Sequence, residues 1–232
     1  MIATVVLVIT NVVICVAMAA KAGLTDKLGF DRGTLYLFGA NHAGRVLDEG
    51  EVWRLFTSTL IHLNLMHIAM NMIALVQVGR ALEPRWGGAR VIAAYAATGV
   101  LASVASVLWY AAGGAEVPPM SAGASGAICG LVGAAAVSFH RIGTPAGRRQ
   151  RDRMLVWAAI VIATGFFIGA DNAAHIGGLV AGLAMGFIVE RVGFRGRTGR
   201  LADVVAIVVF LALAGAAFAV ALTRPDTLRV YT

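Results

Sequence analysis

Two side chains that could together cleave an amide bond lie near the starts of two uncharged stretches. Ser125 is flanked by Gly123 and Gly126, and His175 follows Asp171 by four residues. A serine hydroxyl is a weak nucleophile until a neighbouring base accepts its proton, and a neutral imidazole can be that base. A serine among glycines is by itself more typical of helix packing than of catalysis. The hypothesis of a Ser–His pair therefore depends on the elements that carry the two residues.

A third group of polar side chains lies in the apolar stretch at residues 55–79. It contains His62, Asn64, His67, Asn71 and Gln77. Polar groups in a lipid environment are costly unless they face partners or water, so they mark functional sites by default. Residues four apart share one helical face, which makes His67 and Asn71 candidate hydrogen-bond donors to the interior of a helix bundle. The alternative, that they only join neighbouring helices, stays open.

Composition identifies the chain as an integral membrane protein. Of its 232 residues 59% are hydrophobic and 13% are charged, and the mean hydropathy of +0.82 is far above that of soluble domains. A membrane-spanning helix needs about 20 apolar residues. Seven stretches between charged residues qualify: 2–20, 55–79, 91–115, 117–140, 154–170, 172–189 and 204–223.

Two of these boundaries bear on the candidate site. Residues 154–189 are too long for one span, so we expect a tight hairpin at Asp171 and Asn172. The fourth stretch contains Pro118 and Pro119, which predict an extended segment followed by a helix from about Ser121. Ser125 would then lie in the first turn, where the free N–H groups and the helix dipole could stabilise an oxyanion.

Basic residues indicate the orientation of the spans. They concentrate in connections around residues 85–90, 141–153 and 191–200, whereas the short connections around Glu116 and Asp171 contain none. Cytoplasmic loops of membrane proteins are enriched in Lys and Arg. We therefore expect the N-terminus in the cytoplasm and the C-terminus outside, and we assign the net charge of +7 to topology rather than to nucleic-acid binding.

The remaining segments give further expectations. The 34 residues at 21–54 form a long outer loop whose apolar content predicts a folded segment at the membrane surface. Residues 1–20 lack a basic start, which favours an uncleaved first helix over a signal peptide. Cys15 and Cys129 both fall inside predicted spans, so we expect neither a disulfide nor a metal site, and nothing indicates a cofactor.

Glycine spacing predicts how the two candidate residues could meet. Four-residue repeats of glycine form smooth helix faces that pack closely. If both helices start at the outer surface, Ser125 and His175 each lie about 6 Å below it. The repeats are Gly126 and Gly130 in the fourth span, and Gly178, Gly182 and Gly186 in the sixth.

Together these segments resemble the rhomboid intramembrane serine proteases. The resemblance covers roughly residues 50–190. It implies an all-α polytopic membrane protein with a six-helix core, here followed by a seventh C-terminal transmembrane helix. The segments that carry it are Trp53-Arg54, the helix 59–71 with His67 and Asn71, Gly123-Ala124-Ser125-Gly126, and Ala174-His175 up to Gly178.

The resemblance implies an activity and its residues. Ser125 would be the nucleophile and His175 the general base, and the oxyanion would be held by the Ser125 backbone N–H with His67 and Asn71. Substrates would be transmembrane proteins, cut near the outer face of what the composition suggests is a bacterial plasma membrane. The oligomeric state is not indicated. The implied divisions are the first helix at 1–20, the outer loop at 21–54, core helices two to six at 55–190, and the inner loop, seventh helix and outer tail at 191–232.

One position departs from the family pattern and keeps other functions open. Many rhomboids have an aromatic residue one turn after the nucleophile, where this chain has Cys129. An inactive rhomboid-like protein that binds membrane clients is therefore an alternative, and a transporter lined by the polar groups is another. Phe166 and Phe167 are candidates for a lateral gate or for simple lipid contact.

Overall fold

The fold is a bundle of long helices with short helices in one extended connection. The computed structural model describes residues 1–113, 120–191 and 199–223. Pro118 and Pro119, the predicted inner loop at 192–198 and the predicted outer tail at 224–232 lie outside these residues. The long helices are α1 (Ile2–Ala22), α5 (Leu65–Trp86), α6 (Gly88–Ala111), α7 (Ser125–His140), α8 (Pro145–Ile168), α9 (Asn172–Arg191) and α10 (Arg200–Thr223), and the short ones are α2 (Arg32–Leu37), α3 (Ala43–Leu47) and α4 (Arg54–Thr57).

This architecture is a polytopic all-α membrane protein, as the sequence predicts. Within the described residues, α1, α5, α6, α9 and α10 are long and apolar enough to cross a membrane. Helix α7 is apolar but has only 16 residues. Helix α8 has 24 residues, and its first turns carry the basic side chains that the sequence assigns to an inner connection. The hairpin between α8 and α9 lies where predicted, with Gly169 in the left-handed conformation that ends α8.

Three predicted helix starts are wrong. The fifth span begins at Pro145 rather than at residue 154, because Thr144 caps α8 by accepting the backbone N–H of Gly147 at 3.1 Å. The second span begins at Leu65 rather than at residue 55, because the extended Asn64 caps α5 by accepting the backbone N–H of His67 at 2.8 Å. The fourth span begins at Ser125 rather than near Ser121. The backbone of Ser121 instead pairs with Asn41 through two hydrogen bonds of 2.8 and 2.9 Å, which hold this segment extended.

The connection at residues 21–54 is folded, as expected for a loop with so many apolar residues. Phe30, Leu35 and Phe38 are buried in the main hydrophobic core. Asp31 caps α2 by accepting the backbone N–H of Thr34 at 2.9 Å. The buried side chains attach the connection to the helix bundle.

Helices α7 and α9 pack against each other through their glycines, which confirms the predicted contact of the two faces. A Cβ added to Gly178 would overlap the Gly126 carbonyl, and one added to Gly182 would overlap the Gly130 carbonyl. A Cβ at Gly186 would lie 3.0 Å from Ala134. Such close approach of two backbones is available only to residues without side chains. The glycine faces therefore set the distance between the helices that carry Ser125 and His175.

The first and last helices pack around this core. Glu83 near the end of α5 accepts the backbone N–H groups of Ala3 and Thr4 at 3.1 and 2.9 Å, which fixes the start of α1. Phe210 of α10 is buried and packs edge-on against Phe56 at 5.9 Å between ring centres. The described part of α10 is a packing helix, as its sequence predicts.

Candidate active site

Ser125 and His175 lie in direct contact. The Ser125 Oγ is 2.9 Å from His175 Nε2, which is hydrogen-bond distance. Ser125 is half-buried, and His175 is buried with 6% of its surface exposed. Ser125 is the first residue of α7, so its backbone N–H is among the free donors at a helix N-terminus. The pair thus has the geometry of a nucleophile and its base, with a donor for an oxyanion beside it.

The segment before Ser125 is held in an extended shape by neighbouring backbone. Gly123 donates its N–H to the carbonyl of Ser58 at 2.8 Å, in addition to the Ser121 pairing described above. Gly123 has a φ of +138°, which L side chains rarely adopt, and a Cβ there would lie 2.6 Å from His67 Cε1. Glycine is therefore required at this position by its backbone conformation and by the close approach of the imidazole.

The structure brings His67 to the site and places Asn71 one turn further along α5. The Cε1–Nε2 edge of the His67 ring faces Gly123, and its Nδ1 has no hydrogen-bond partner among the described residues. Asn71 is buried and donates from Nδ2 to the His67 carbonyl at 3.0 Å. His62 packs edge-on against His67 at 5.3 Å between ring centres, and its Nε2 is 3.5 Å from the backbone nitrogen of Ala124.

Sequence reasoning missed the residues that contact His175 from its other side. The Asn172 Oδ1 is 3.1 Å from His175 Nδ1, and the Asn172 Nδ2 donates to the Ile162 carbonyl at 3.1 Å. Asp171 accepts the backbone N–H of Ala174 at 3.0 Å and the Ser106 hydroxyl at 2.5 Å. The spacing of Asn172 and His175, three residues apart at a helix start, was the available signal.

Trp53 and Arg54 have a structural role in the connection. Arg54 is fully buried and pairs with Glu51 at 2.5 Å. It also donates to the carbonyls of Tyr36 and Ala40 at 2.7 and 3.1 Å, and it stacks on the Trp53 ring at 4.4 Å. Burial lowers the pKa of the Arg54 guanidinium, and the Glu51 carboxylate opposes that shift. The guanidinium therefore links three parts of the connection at 21–54 through hydrogen bonds and an ion pair.

Other predicted positions lie around the pair. Cys129, one turn after Ser125, is completely buried in α7. Phe166 and Phe167 are 74% and 89% exposed, so neither ring covers the site. Within residues 1–113, 120–191 and 199–223, no group of three or more His, Cys, Asp or Glu side chains is arranged to hold a metal ion.

Comparison with known proteins identifies relatives over the part of the chain that carries these residues. The family model of the Rhomboid domain matches residues 49–192 of this chain. Rhomboid protease GluP of Bacillus subtilis is 37% identical over 153 residues, which are 64% of this chain and 28% of the relative. Rhomboid-like protease 2 of Toxoplasma gondii is 33% identical over 178 residues, which are 73% of this chain and 59% of the relative.

A plant relative is similar to this chain to about the same extent. RHOMBOID-like protein 1 of Arabidopsis thaliana is 34% identical over 163 residues, which are 69% of this chain and 40% of the relative. The chain thus spans between about a quarter and three fifths of the length of these three proteins. The similarity includes the segments around Ser125 and His175, because both lie within the matched domain.

Proposed function

This chain belongs to the rhomboid family, and on that premise we propose that it is an intramembrane serine endopeptidase that cleaves transmembrane segments of membrane proteins. The observation that carries the proposal is the 2.9 Å contact between Ser125 Oγ and His175 Nε2 at the start of α7. A hydroxyl in contact with an imidazole, beside free backbone N–H groups, has the parts needed for acyl transfer.

The reaction follows from these positions. His175 Nε2 accepts the Ser125 hydroxyl proton while Oγ attacks the scissile carbonyl. The tetrahedral intermediate then expels the amine, which receives from His175 the proton that Ser125 gave up, and an acyl-enzyme ester remains on Oγ. A water molecule deprotonated by His175 hydrolyses the ester and regenerates Ser125.

Stabilisation of the oxyanion is assigned to three groups. The Ser125 backbone N–H lies at the positive end of α7, where developing negative charge is favoured. His67 contributes from the ring edge that faces Gly123. The Asn71 amide contributes its second N–H, since one is donated to the His67 carbonyl. Each such donor is worth about 3 kcal/mol in the transition state.

The place of cleavage follows from the depth of the site. Hydrolysis needs water, which the bilayer core lacks, and Ser125 and His175 both lie within the first turns of their helices. With the N-terminus in the cytoplasm and the C-terminus outside, these helix starts face the outer side of a bacterial plasma membrane. A transmembrane substrate is cut there after its helix unwinds to present an extended bond.

One observation supports a second candidate function. Cys129 occupies the position where an aromatic ring would lie beneath the base, and it is fully buried. A chain that has lost this support could bind membrane clients without cutting them. The transporter alternative has less support, since the paired polar side chains gather at the starts of α7 and α9 rather than along a path across the bundle.

Cleavage of a generic single-pass membrane substrate in liposomes tests the proposal. Ser125→Ala and His175→Ala are each expected to abolish cleavage, whereas the exposed His140→Ala at the far end of α7 retains it. A fluorophosphonate should label the native serine and fail to label Ser125→Ala. Cleavage that persists in both site variants would contradict the site assignment, and a folded native chain that neither cuts nor is labelled would favour the client-binding function.

A further inference from the structure

The imidazole of His175 has a partner on each nitrogen. Nε2 faces the Ser125 hydroxyl at 2.9 Å, and Nδ1 faces the Asn172 Oδ1 at 3.1 Å. Asn172 is the first residue of α9, so it lies one turn before His175 and on the same helix face. The Asn172 amide is thus in contact with the base but on the side away from the nucleophile.

The partners of Asn172 decide which nitrogen of His175 carries the proton. The Asn172 Nδ2 is 3.1 Å from the Ile162 carbonyl oxygen, and a carbonyl can only accept a hydrogen bond. The amide nitrogen must therefore point to Ile162, which leaves the amide oxygen toward His175. Because that oxygen can only accept, His175 Nδ1 must carry the proton. Nε2 is then unprotonated and free to accept the proton of Ser125.

Packing around Asn172 keeps the amide in this orientation. A Cβ added to Gly165 of α8 would overlap the Asn172 amide oxygen, so the glycine leaves the space that the amide fills. The residue before Asn172 is anchored as well, since Asp171 accepts hydrogen bonds from the Ser106 hydroxyl and the Ala174 N–H. The start of α9 is thereby held by contacts with both α6 and α8.

We propose that Asn172 is a positioning residue for catalysis, which holds His175 in the Nδ1-protonated tautomer and aims its Nε2 at Ser125. The role is that of the third group in a catalytic triad, which orients the base and fixes its tautomer without taking up the proton. The inference rests on the proposed function, because it assigns to Asn172 an action on the general base of that reaction.

Kinetics of two substitutions separate this role from a purely structural one. Asn172→Ala removes the acceptor and is expected to lower kcat about tenfold with little change in KM, since substrate is not bound by this residue. Asn172→Asp retains an oxygen acceptor at the same place and loses the amide donor to Ile162, so it is expected to keep kcat within about threefold of the native value. The matched control is Asn11→Ala, because Asn11 is a buried asparagine of α1 whose side chain hydrogen-bonds to Leu7 and Tyr95; this variant should leave kcat unchanged.

The tautomer itself can be measured. NMR of protein labelled with ¹⁵N-histidine reports the protonation of each imidazole nitrogen. The His175 resonances are identified as those that disappear in a His175→Gln sample. The native signals are expected to show a protonated Nδ1 and an unprotonated Nε2. In Asn172→Ala the single tautomer should give way to a mixture, whereas Asn172→Asp should preserve it. A structural contribution to folding would not produce this pattern.

The outcomes distinguish the inference from the function on which it rests. An unchanged tautomer and unchanged kcat in Asn172→Ala would overturn the inference, even if Ser125→Ala and His175→Ala are inactive. Equal losses of kcat in the alanine and aspartate variants would also overturn it. The loss would then come from the hydrogen bond to the Ile162 carbonyl, which both variants lack, and not from the acceptor for His175. If cleavage survives in Ser125→Ala and His175→Ala, the proposed function fails first.

Discussion

Replacing Gly178 by alanine should separate Ser125 from His175 without altering either side chain. In the native packing, the added Cβ would overlap the carbonyl oxygen of Gly126, the residue after Ser125. A carbon and a carbonyl oxygen in contact are separated by about 3.3–3.6 Å. Helices α7 and α9 must therefore move apart locally by roughly 1 Å or more to admit the methyl group.

The movement affects stability and activity to different extents. Overpacking costs about 1–3 kcal/mol, and the gain from replacing a helical glycine by alanine offsets about 0.5–1 kcal/mol of this. We therefore expect a net loss of at most about 2.5 kcal/mol in the free energy of unfolding. A displacement of about 1 Å at the reacting atoms lowers the rate on the order of 10²-fold, which is about 2.7 kcal/mol of activation free energy, so catalysis should lose more than folding stability does.

The same substitution elsewhere supplies the controls. At Gly186, on the same face of α9, the new Cβ would lie 3.0 Å from Ala134, which a few tenths of an ångström of adjustment relieves. At Gly215 of α10 it would meet no atom within 4 Å. Liposome cleavage kinetics and unfolding in mild detergent should show kcat strongly reduced in Gly178→Ala alone. Equal kcat values in Gly178→Ala and Gly186→Ala would refute the claim that the missing side chain of Gly178 sets the distance between α7 and α9 at Ser125 and His175.

Two further predictions concern the connection at 21–54. Arg54→Leu removes the buried ion pair with Glu51 and should lower the free energy of unfolding by about 3–5 kcal/mol, as measured by denaturant titration in micelles. The exposed Arg149→Leu should change it little, and similar losses in both variants would contradict the stabilising role of the buried pair. Asp31→Ala should cost about 1 kcal/mol at neutral pH. Hydrogen bonds from the Thr34 hydroxyl and N–H lower the pKa of Asp31. The stabilisation by Asp31 is therefore complete above the ordinary carboxyl pKa and is lost as pH falls through the lowered pKa of the folded state. A destabilisation by Asp31→Ala that stays constant down to about pH 2 would contradict this pH dependence.

The sequence is sufficient to predict the helix pairing that brings the candidate residues together. Glycine repeats in α7 and α9 specify which faces can approach, and this pairing is a consequence of helix geometry, which is local and regular. The expected equal depth of the two residues below their helix starts was wrong, because Ser125 is the first residue of α7 whereas His175 is the fourth residue of α9. Five of the seven predicted spans are long and apolar enough to cross a membrane among the described residues, because apolar length is a direct requirement of crossing; α7 and α8 do not meet that criterion.

The features that could not be predicted depend on contacts between distant segments. The start of α7 was placed too early because nothing near Ser121 shows that its backbone pairs with Asn41. The burial of Arg54 follows from acceptors at Tyr36 and Ala40, which lie in an irregular connection whose path the sequence does not specify. Asn172 looked like part of a turn, and its contact with His175 depends on the α8 carbonyl that orients its amide.

These distant contacts indicate that the two halves of the candidate site are positioned by different parts of the chain. Ser125 follows an extended segment whose backbone is paired with Asn41 and Ser58, so its position depends on the folded connection at 21–54 and on the residues before α5. His175 instead depends on the start of α9, which α6 and α8 hold through side chains. Substitutions in the connection should therefore displace Ser125 while the tautomer of His175 is unchanged, whereas substitutions at the α8–α9 hairpin should displace His175. The glycine contact between α7 and α9 is where the two supports meet, which is why a single methyl group there is expected to affect catalysis more than folding.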